Sequence, residues 1–261
     1  MRSKSKAVTR VAATFAMGLA LSSPVLAQDF PAPFSGLMQS ETNRMLMDNL
    51  RNRNLGLLDS SRPGGPSTPR GGALANRLTA TPSTASVSTR YRASPEVSAR
   101  VRKQFSDYMA KQAGAEGGRK IATAMERTDP VQNWARLVAS DGLHTGDAAD
   151  ALAGYWVLNW MIANRGDNTR NQTLAVREQV RPIIASNPGY ARLNEAQRQE
   201  FAEVLMLNFL VQQAAYTDAL QRRDEPTARR LGDAAVARFR SEMGVDLRQI
   251  TLTDNGFVRR R

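Results

Sequence analysis

The sequence predicts an all-α protein, a compact bundle of about six helices with two central buried helices and an extended C-terminal tail. Apolar residues recur at helical spacing through most of residues 91–243. Residues that favour helix starts and stops stand at the ends of these segments. The 261-residue chain has no cysteine, so packing alone has to hold the bundle together, without disulfides or Cys-ligated metal.

The first helix is predicted to begin at Ser94-Pro95-Glu96, which supplies an N-cap residue, a first-turn proline and an acid. Val97, Val101, Phe105 and Met109 then follow at steps of four. Glycines 114, 117 and 118 are expected to break this helix, and a short helix is predicted over 120–125. Asp129-Pro130 marks the next start, and that helix should stop near Gly142.

Two later segments are the candidates for the central helices. Residues 147–164 are apolar around most of the helix circumference, and Gly166 is expected at the C-cap position. Residues 195–222 follow a capping box at Asn194–Gln197. This second helix would be roughly 40 Å long. Its middle, 204–211, is apolar all round except at Asn208.

The remaining elements are shorter. A helix is predicted over 171–186, with Pro182 kinking or ending it, and Asn187–Gly189 reads as a turn. The last helix should run from Pro226 to Met243. Residues 250–253 alternate with period two before an Asp-Asn-Gly turn. This pattern predicts a tail that lies extended against the helices, with one strand-like piece.

The first 27 residues have the pattern of a cleavable signal peptide. A basic segment, Arg2–Arg10, precedes the apolar segment Val11–Leu21, which is short for a membrane span. Val25 and Ala27 place small residues at the −3 and −1 positions of a cleavage site. The sequence therefore predicts a periplasmic or secreted protein cleaved near Ala27, with no membrane span after cleavage.

Residues 28–90 have the Pro/Gly/Ser/Thr-rich composition of a disordered linker. An island of leucines and methionines inside it predicts a short amphipathic helix near 37–52. That helix would either dock on a partner or on the domain, or stay frayed. The helical domain is predicted to span 91–258, followed by a basic tail at 259–261.

The charge balance is basic but moderate. The formal net charge is +12, from 36 Lys and Arg against 24 Asp and Glu. A mild excess spread over many helices argues against a nucleic-acid partner. Arginines of the late segments could form a face for an anionic polymer, or could simply be solvated. These are Arg222, Arg223, Arg229, Arg230, Arg238, Arg240 and Arg259–Arg261.

The candidate catalytic group comprises His144, the only histidine, and Asp141, Asp147 and Asp150, spaced three apart. Imidazole and carboxylate are the ligands of a hydrolytic metal centre. The competing interpretation is local: Asp147 caps a helix, Asp150 lies in its first turn, and the rest is loop. A lone histidine is also short of the usual ligand set, and no cofactor is predicted.

Two tryptophans and two asparagines are the candidate binding residues. Trp156 and Trp160 share a helix face and, with Tyr155, could form an aromatic platform or belong to the core. Asn159 and Asn208 are amides on otherwise apolar surfaces. They could meet where the central helices cross, or each could bond a nearby backbone carbonyl or water.

A family resemblance rests on the motif DAADALAGYWVLNW at Asp147–Trp160 and on the ending GVDLRQITLTDNGF at Gly244–Phe257. With the signal-like N-terminus and linker, these segments resemble an uncharacterised family of exported proteobacterial proteins with a helical domain of unknown function. The resemblance spans about Tyr91–Phe257. It implies export and a single helical domain, and it brings no activity.

Three functions follow from these observations. The first is an exported non-enzymatic helical module that binds a protein or cell-envelope partner. The second is a periplasmic hydrolase or metal-dependent enzyme centred on His144 with Asp141, Asp147 and Asp150. The third is anionic-polymer binding through the Arg-rich helices, with affinity that falls as salt rises.

Overall fold

The computed structural model describes residues 87–260, and this part of the chain is all-α apart from one small hairpin, as predicted. The predicted signal peptide, the linker up to residue 86, the 37–52 helix and Arg261 lie outside the described residues. The elements are α1 (Pro95–Arg127), α2 (Pro130–Val138), a 3-10 turn (Ala139–Asp141), α3 (Ala148–Asn164), α4 (Arg170–Ala185), α5 (Pro188–Ala191), α6 (Glu195–Gln221), α7 (Glu225–Met243), a second 3-10 turn (Leu247–Gln249), β1 (Ile250–Thr253) and β2 (Gly256–Arg259).

The predicted helix starts are confirmed to within one residue, except the start at residue 120. The Asp129 carboxylate accepts hydrogen bonds from the backbone amides of Val131 and Gln132. At the start of α6, the Gln197 amide donates to Asn194 Oδ1 at 2.9 Å, and Gln197 Oε1 accepts from the Asn194 amide at 3.0 Å. Each bond satisfies a backbone group that the first turn of a helix leaves without an intrahelical partner.

The two predicted central helices, α3 and α6, form the middle of the core. Fifteen of the 17 residues of α3 are buried, and the run 201–210 of α6 is buried without interruption. α3 packs against α4, α6 and α7, so neighbours cover it on several sides. A helix that is apolar around its circumference requires this arrangement.

Residues 87–94 form an extended strap that is bonded to the ends of several helices. The Val87 amide donates to the carbonyl of Ala185, at the end of α4. The Thr89 carbonyl accepts from the Ala148 amide at 2.9 Å and from the Tyr190 hydroxyl at 3.1 Å. Because Thr89 is only 3% exposed, the packed structure includes residues on the N-terminal side of Tyr91.

Four local expectations require correction. Gly114 alone breaks α1, with φ 77° and ψ 166°, and the helix continues through glycines 117 and 118. Residues 120–125, predicted as a separate short helix, are therefore part of α1. The left-handed residue after α3 is Arg165, with φ 54°. Gly166 is needed for a different reason, because a Cβ there would lie 2.8 Å from the Trp160 ring. Residues 188–191 form the short helix α5 where a turn was expected.

The C-terminal tail also contains more structure than expected, since it forms an antiparallel hairpin with Leu252 opposite Phe257. The Gln179 side chain of α4 pairs with the outer edge of β2. Its Nε2 donates to the Phe257 carbonyl, and its Oε1 accepts from the Phe257 amide, each at 2.9 Å. The pairing anchors the hairpin on α4 and satisfies the backbone groups of an edge strand.

We expect the strap to stabilise the domain. A chain that begins at residue 91 loses the bonds that the Thr89 carbonyl and hydroxyl make to Ala148, Tyr190 and Arg181. It should be less stable than a chain that begins at residue 87 by about 2–3 kcal/mol. Urea denaturation of the two chains measures the difference. Equal midpoints would show that the strap lies on the domain without contributing to its stability.

Candidate functional site

The segment 141–150, which carries the predicted catalytic group, runs from the end of the first 3-10 turn through a loop to the first turn of α3. Asp150 Oδ2 accepts from the backbone amide of His144 at 2.8 Å, and Asp147 Oδ1 accepts from the amide of Ala149 at 2.9 Å. Asp141 Oδ1 accepts from the side-chain amide of Asn168 at 2.9 Å. Each carboxylate therefore holds a loop or a helix start in place.

Two arginines of α4 neutralise the buried carboxylates. Arg181 donates to Asp147 Oδ2 at 2.8 Å, and its other terminal nitrogen lies 3.5 Å from Asp150 Oδ1. The guanidinium of Arg177 lies 3.8 Å from the same Asp150 oxygen. Burial raises the pKa of the Asp150 carboxyl, and the bond from the His144 amide and the arginines oppose that rise. The geometry is that of an ion-paired joint between α3 and α4.

The His144 side chain is exposed to solvent, beside this joint. Within residues 87–260, no three His, Asp or Glu side chains form a group that could hold a metal ion. The local interpretation of Asp147 and Asp150 as a cap and a first-turn residue describes the contacts that they make. His144 contributes only its backbone amide to the bonds around Asp150.

The candidate aromatic platform lies inside the core. Trp156 and Trp160 are 4% and 8% exposed, and both pack against Phe257, with ring centroids 5.7 and 6.3 Å away. The Trp160 indole donates to the Ile250 carbonyl at 3.1 Å. Tyr155 stacks on Phe239 at 5.5 Å. These rings join α3 to α7 and to the hairpin.

The two candidate asparagines follow the local interpretation. Asn159 donates to the Tyr155 carbonyl, and Asn208 to the Val204 carbonyl, each at 2.8 Å and each four residues back on its own helix. Asn159 has a second bond, because its Oδ1 accepts from the buried guanidinium of Arg238 at 2.8 Å. Asn159 therefore belongs to a polar group that sequence reasoning did not assemble.

This group, the Arg238 cluster, consists of Tyr155 and Asn159 of α3, Gln212 of α6 and Arg238 of α7. The same Arg238 nitrogen donates to Asn159 and, at 3.0 Å, to Gln212 Oε1. Burial raises the pKa of the Tyr155 hydroxyl to about 12, against the opposing effect of the Arg238 charge. The Tyr155 hydroxyl also interacts with the side chains of Gln212 and Arg238.

The burial of Arg238 corrects its assignment to an exposed arginine face, because its exposure is only 5%. The signal was present in the sequence. Leu231, Ala235 and Arg238 are four and three residues apart, so Arg238 continues the apolar stripe of α7. The charge-assisted bonds of the cluster are strong because the surroundings are of low dielectric.

The other late arginines are divided among separate partners. Arg222 pairs with Asp218 at 3.0 Å, Arg240 pairs with Asp246, and Arg260 donates to Asn164 at 3.4 Å. Exposed pairs of this kind contribute little to stability. Acidic or amide partners therefore lie among these arginines.

A second buried polar group joins α1 to α6. Gln199 donates to the Ser94 carbonyl at 2.9 Å and accepts from the Ser94 amide at 2.8 Å. Ser98 donates from its hydroxyl to Glu203 at 2.7 Å. Burial raises the pKa of the Glu203 carboxyl, while the bonds from Ser98 and Gln199 lower it. The sequence placed the starts of α1 and α6 correctly but gave no sign that the two helices pair here.

The fold and these sites define an all-α bundle whose polar interior groups join its helices. The chain belongs to DUF6683, a family of unknown function, whose model matches residues 7–260. No curated protein and no solved structure matches the chain. Among residues 87–260, no helix combines the length and apolar character needed to cross a bilayer.

We expect Arg238→Met to destabilise the protein by about 2–4 kcal/mol, because Asn159 Oδ1 and Gln212 Oε1 would lose their buried donor. The matched control is Arg240→Met, two residues along α7, which removes a surface pair and should cost less than about 1 kcal/mol. Urea denaturation compares the two variants. Equal losses would mean that the Arg238 bonds contribute no more than a surface ion pair.

The raised pKa of Glu203 predicts a pH dependence with a defined sign. A carboxyl whose pKa is higher in the folded protein favours folding when protonated, and this contribution is lost as pH rises through the folded-state pKa. Glu203→Gln should therefore gain stability relative to the wild type as the pH rises above the ordinary glutamate pKa of about 4.3. Glu200→Gln, whose carboxylate pairs with Arg100 at the surface, is the control. A pH-independent difference would contradict this sign.

Proposed function

We propose that this chain is an exported, non-enzymatic helical module of a proteobacterial cell envelope that binds a protein or envelope partner. The observation that supports it best is the use made of the candidate catalytic residues. Asp147 and Asp150 are committed to caps and to ion pairs with α4, while the His144 side chain faces solvent. The basic N-terminal segment, apolar segment and Val25-Leu26-Ala27 support export.

The same contacts argue against the hydrolase alternative. A catalytic base needs to lie within hydrogen-bond reach of its substrate and of the group that orients it. Here the carboxylate nearest to the His144 backbone is already shared between a loop amide and two arginines. The anionic-polymer alternative loses Arg238, which is buried, and has its remaining arginines partly paired with acids.

Export is tested by following the mature N-terminus. In a bacterial host with a periplasm, we expect the protein in the periplasmic fraction, beginning at Gln28 by mass spectrometry. Ala27→Asp removes the small residue at −1 and should leave the precursor uncleaved. Ala32→Asp, five residues downstream, is the control and should be processed normally. A full-length wild-type chain in the cytoplasm would refute the export proposal.

The module itself is tested in two ways. Purified protein should contain no stoichiometric metal. His144→Ala and the wild type should give the same rates in assays of ester, peptide and phosphate hydrolysis. Thr145→Ala, an exposed neighbour, is the control. An activity lost only in His144→Ala would overturn the proposal.

Crosslinking in the periplasmic fraction should give one stoichiometric adduct between this protein and its partner. Comparison with a chain of residues 87–260 shows whether residues 28–86 contribute to binding.

A further inference from the structure

The least secured helical segment of the described domain is the second half of α1. Gly114 divides α1 into α1a (95–113) and α1b (115–127). Its φ of 77° with ψ of 166° belongs to a region that is essentially restricted to glycine. The chain can therefore change direction at this residue within one step, without the steric cost that a side chain would impose.

α1b lies folded back on α1a. A Cβ built on Gly118 would lie 2.4 Å from the Cβ of Ala110 and 2.7 Å from its Cα. In a continuous helix, residues eight apart are separated by about 12 Å along the axis. The two halves are therefore in direct backbone contact on both sides of Gly114, and Gly118 permits that approach because it has no side chain.

Little apolar burial holds α1b in this position. Of its 13 residues, only Gly118 and Ile121 are buried, whereas 15 of the 17 residues of α3 are buried. Two glycines, 117 and 118, lower its intrinsic helix propensity. Its i,i+4 ion pair, Lys120 with Glu116, is exposed and contributes little.

The far end of α1b is also open to solvent, since Glu126, Arg127 and Thr128 are exposed. Segments with few buried apolar contacts open at lower free energy than the core of the same protein.

We propose that α1b is a hinged helix, which pivots at Gly114 and detaches from α1a while α3, α4, α6 and α7 remain folded. Detachment exposes Ile121 together with the half-buried Met125, and it uncovers Ala110 on α1a. The moving segment then presents a short apolar stripe flanked by Arg119, Lys120 and Arg127. This inference is independent of the proposed function, because it concerns an opening that the chain undergoes alone.

Hydrogen exchange followed by mass spectrometry of the full chain tests the hinge. Under native conditions, amides of 115–127 should exchange at least tenfold faster than those of α3 and α6. Gly118→Ala should accelerate exchange in 115–127 alone, because its Cβ would strike the Ala110 backbone. Gly166→Ala is the control: its Cβ strikes the Trp160 ring in the core, so any acceleration it causes should extend through α3.

The exchange pattern distinguishes local opening of α1b from unfolding of the whole domain. Fast exchange confined to 115–127, and increased further by Gly118→Ala, supports the hinge. Protection of 115–127 equal to that of α3 and α6 in the wild type would overturn it, because the segment would then open only when the whole domain unfolds. Acceleration by Gly118→Ala that spreads through α6 would overturn it as well, since α1b would then be part of the cooperative core.

Discussion

The structure depends on the burial of α3 on every side. A helix without a polar face cannot lie at the surface, so neighbours have to surround it. α4, α6 and α7 pack along it, the Trp134 indole lies against Gly154, and the hairpin covers Trp156 and Trp160 through Phe257. Gly232 lets α7 approach α3 closely, since a Cβ at residue 232 would lie 3.1 Å from the Ile162 carbonyl oxygen.

Enclosure of α3 places its ends in crowded surroundings, where backbone groups without partners would be costly. At the N-terminus, the strap supplies the Thr89 carbonyl to the Ala148 amide. At the C-terminus, Arg248 donates to the Ala163 carbonyl at 3.3 Å, and the Gly166 amide donates to the Met161 carbonyl at 3.2 Å. A cation at this end also suits the helix dipole.

The strap and the tail thus have related roles at opposite ends of one helix. This explains why the packed structure begins before Tyr91 and why the sequence after α7 folds into a hairpin against α3 and α4. Neither segment has enough apolar residues to fold by itself. Each becomes ordered because it covers the central helix and satisfies polar groups that the central helix exposes at its ends.

Sequence reasoning succeeded where the physics is local. The carboxylate of Asp129 and the capping box at Asn194 act within three residues, so the helix starts could be predicted from composition and spacing. The candidate site depended on contacts between distant residues, which local spacing does not reveal. Rare residues crowd into 141–150, yet the carboxylates pair with Arg177 and Arg181, which are about 30 residues away.

Arg238 shows the same limit of sequence reasoning for a residue whose burial depends on distant partners. Its position on the apolar stripe of α7 was visible, but an arginine on such a stripe can extend its charged end into solvent. Only the partners on α3 and α6 decide that it stays inside. The close approach of Gly118 to Ala110 was likewise hidden, because glycine in a sequence marks a break and a contact equally well.

The buried Arg238 cluster constrains the register of the helices, which a purely apolar interface would do less strongly. Smooth apolar helices can slide past each other by one turn, about 5.4 Å, at little cost in buried area. Such a slide would separate Arg238 from Asn159 and Gln212 and leave an uncompensated buried charge, which is strongly unfavourable. The bonds among α3, α6 and α7 therefore fix the register of three helices at a single level of the core. A fixed register in turn holds the exposed side chains of these helices in one arrangement, which a binding surface on the domain would require.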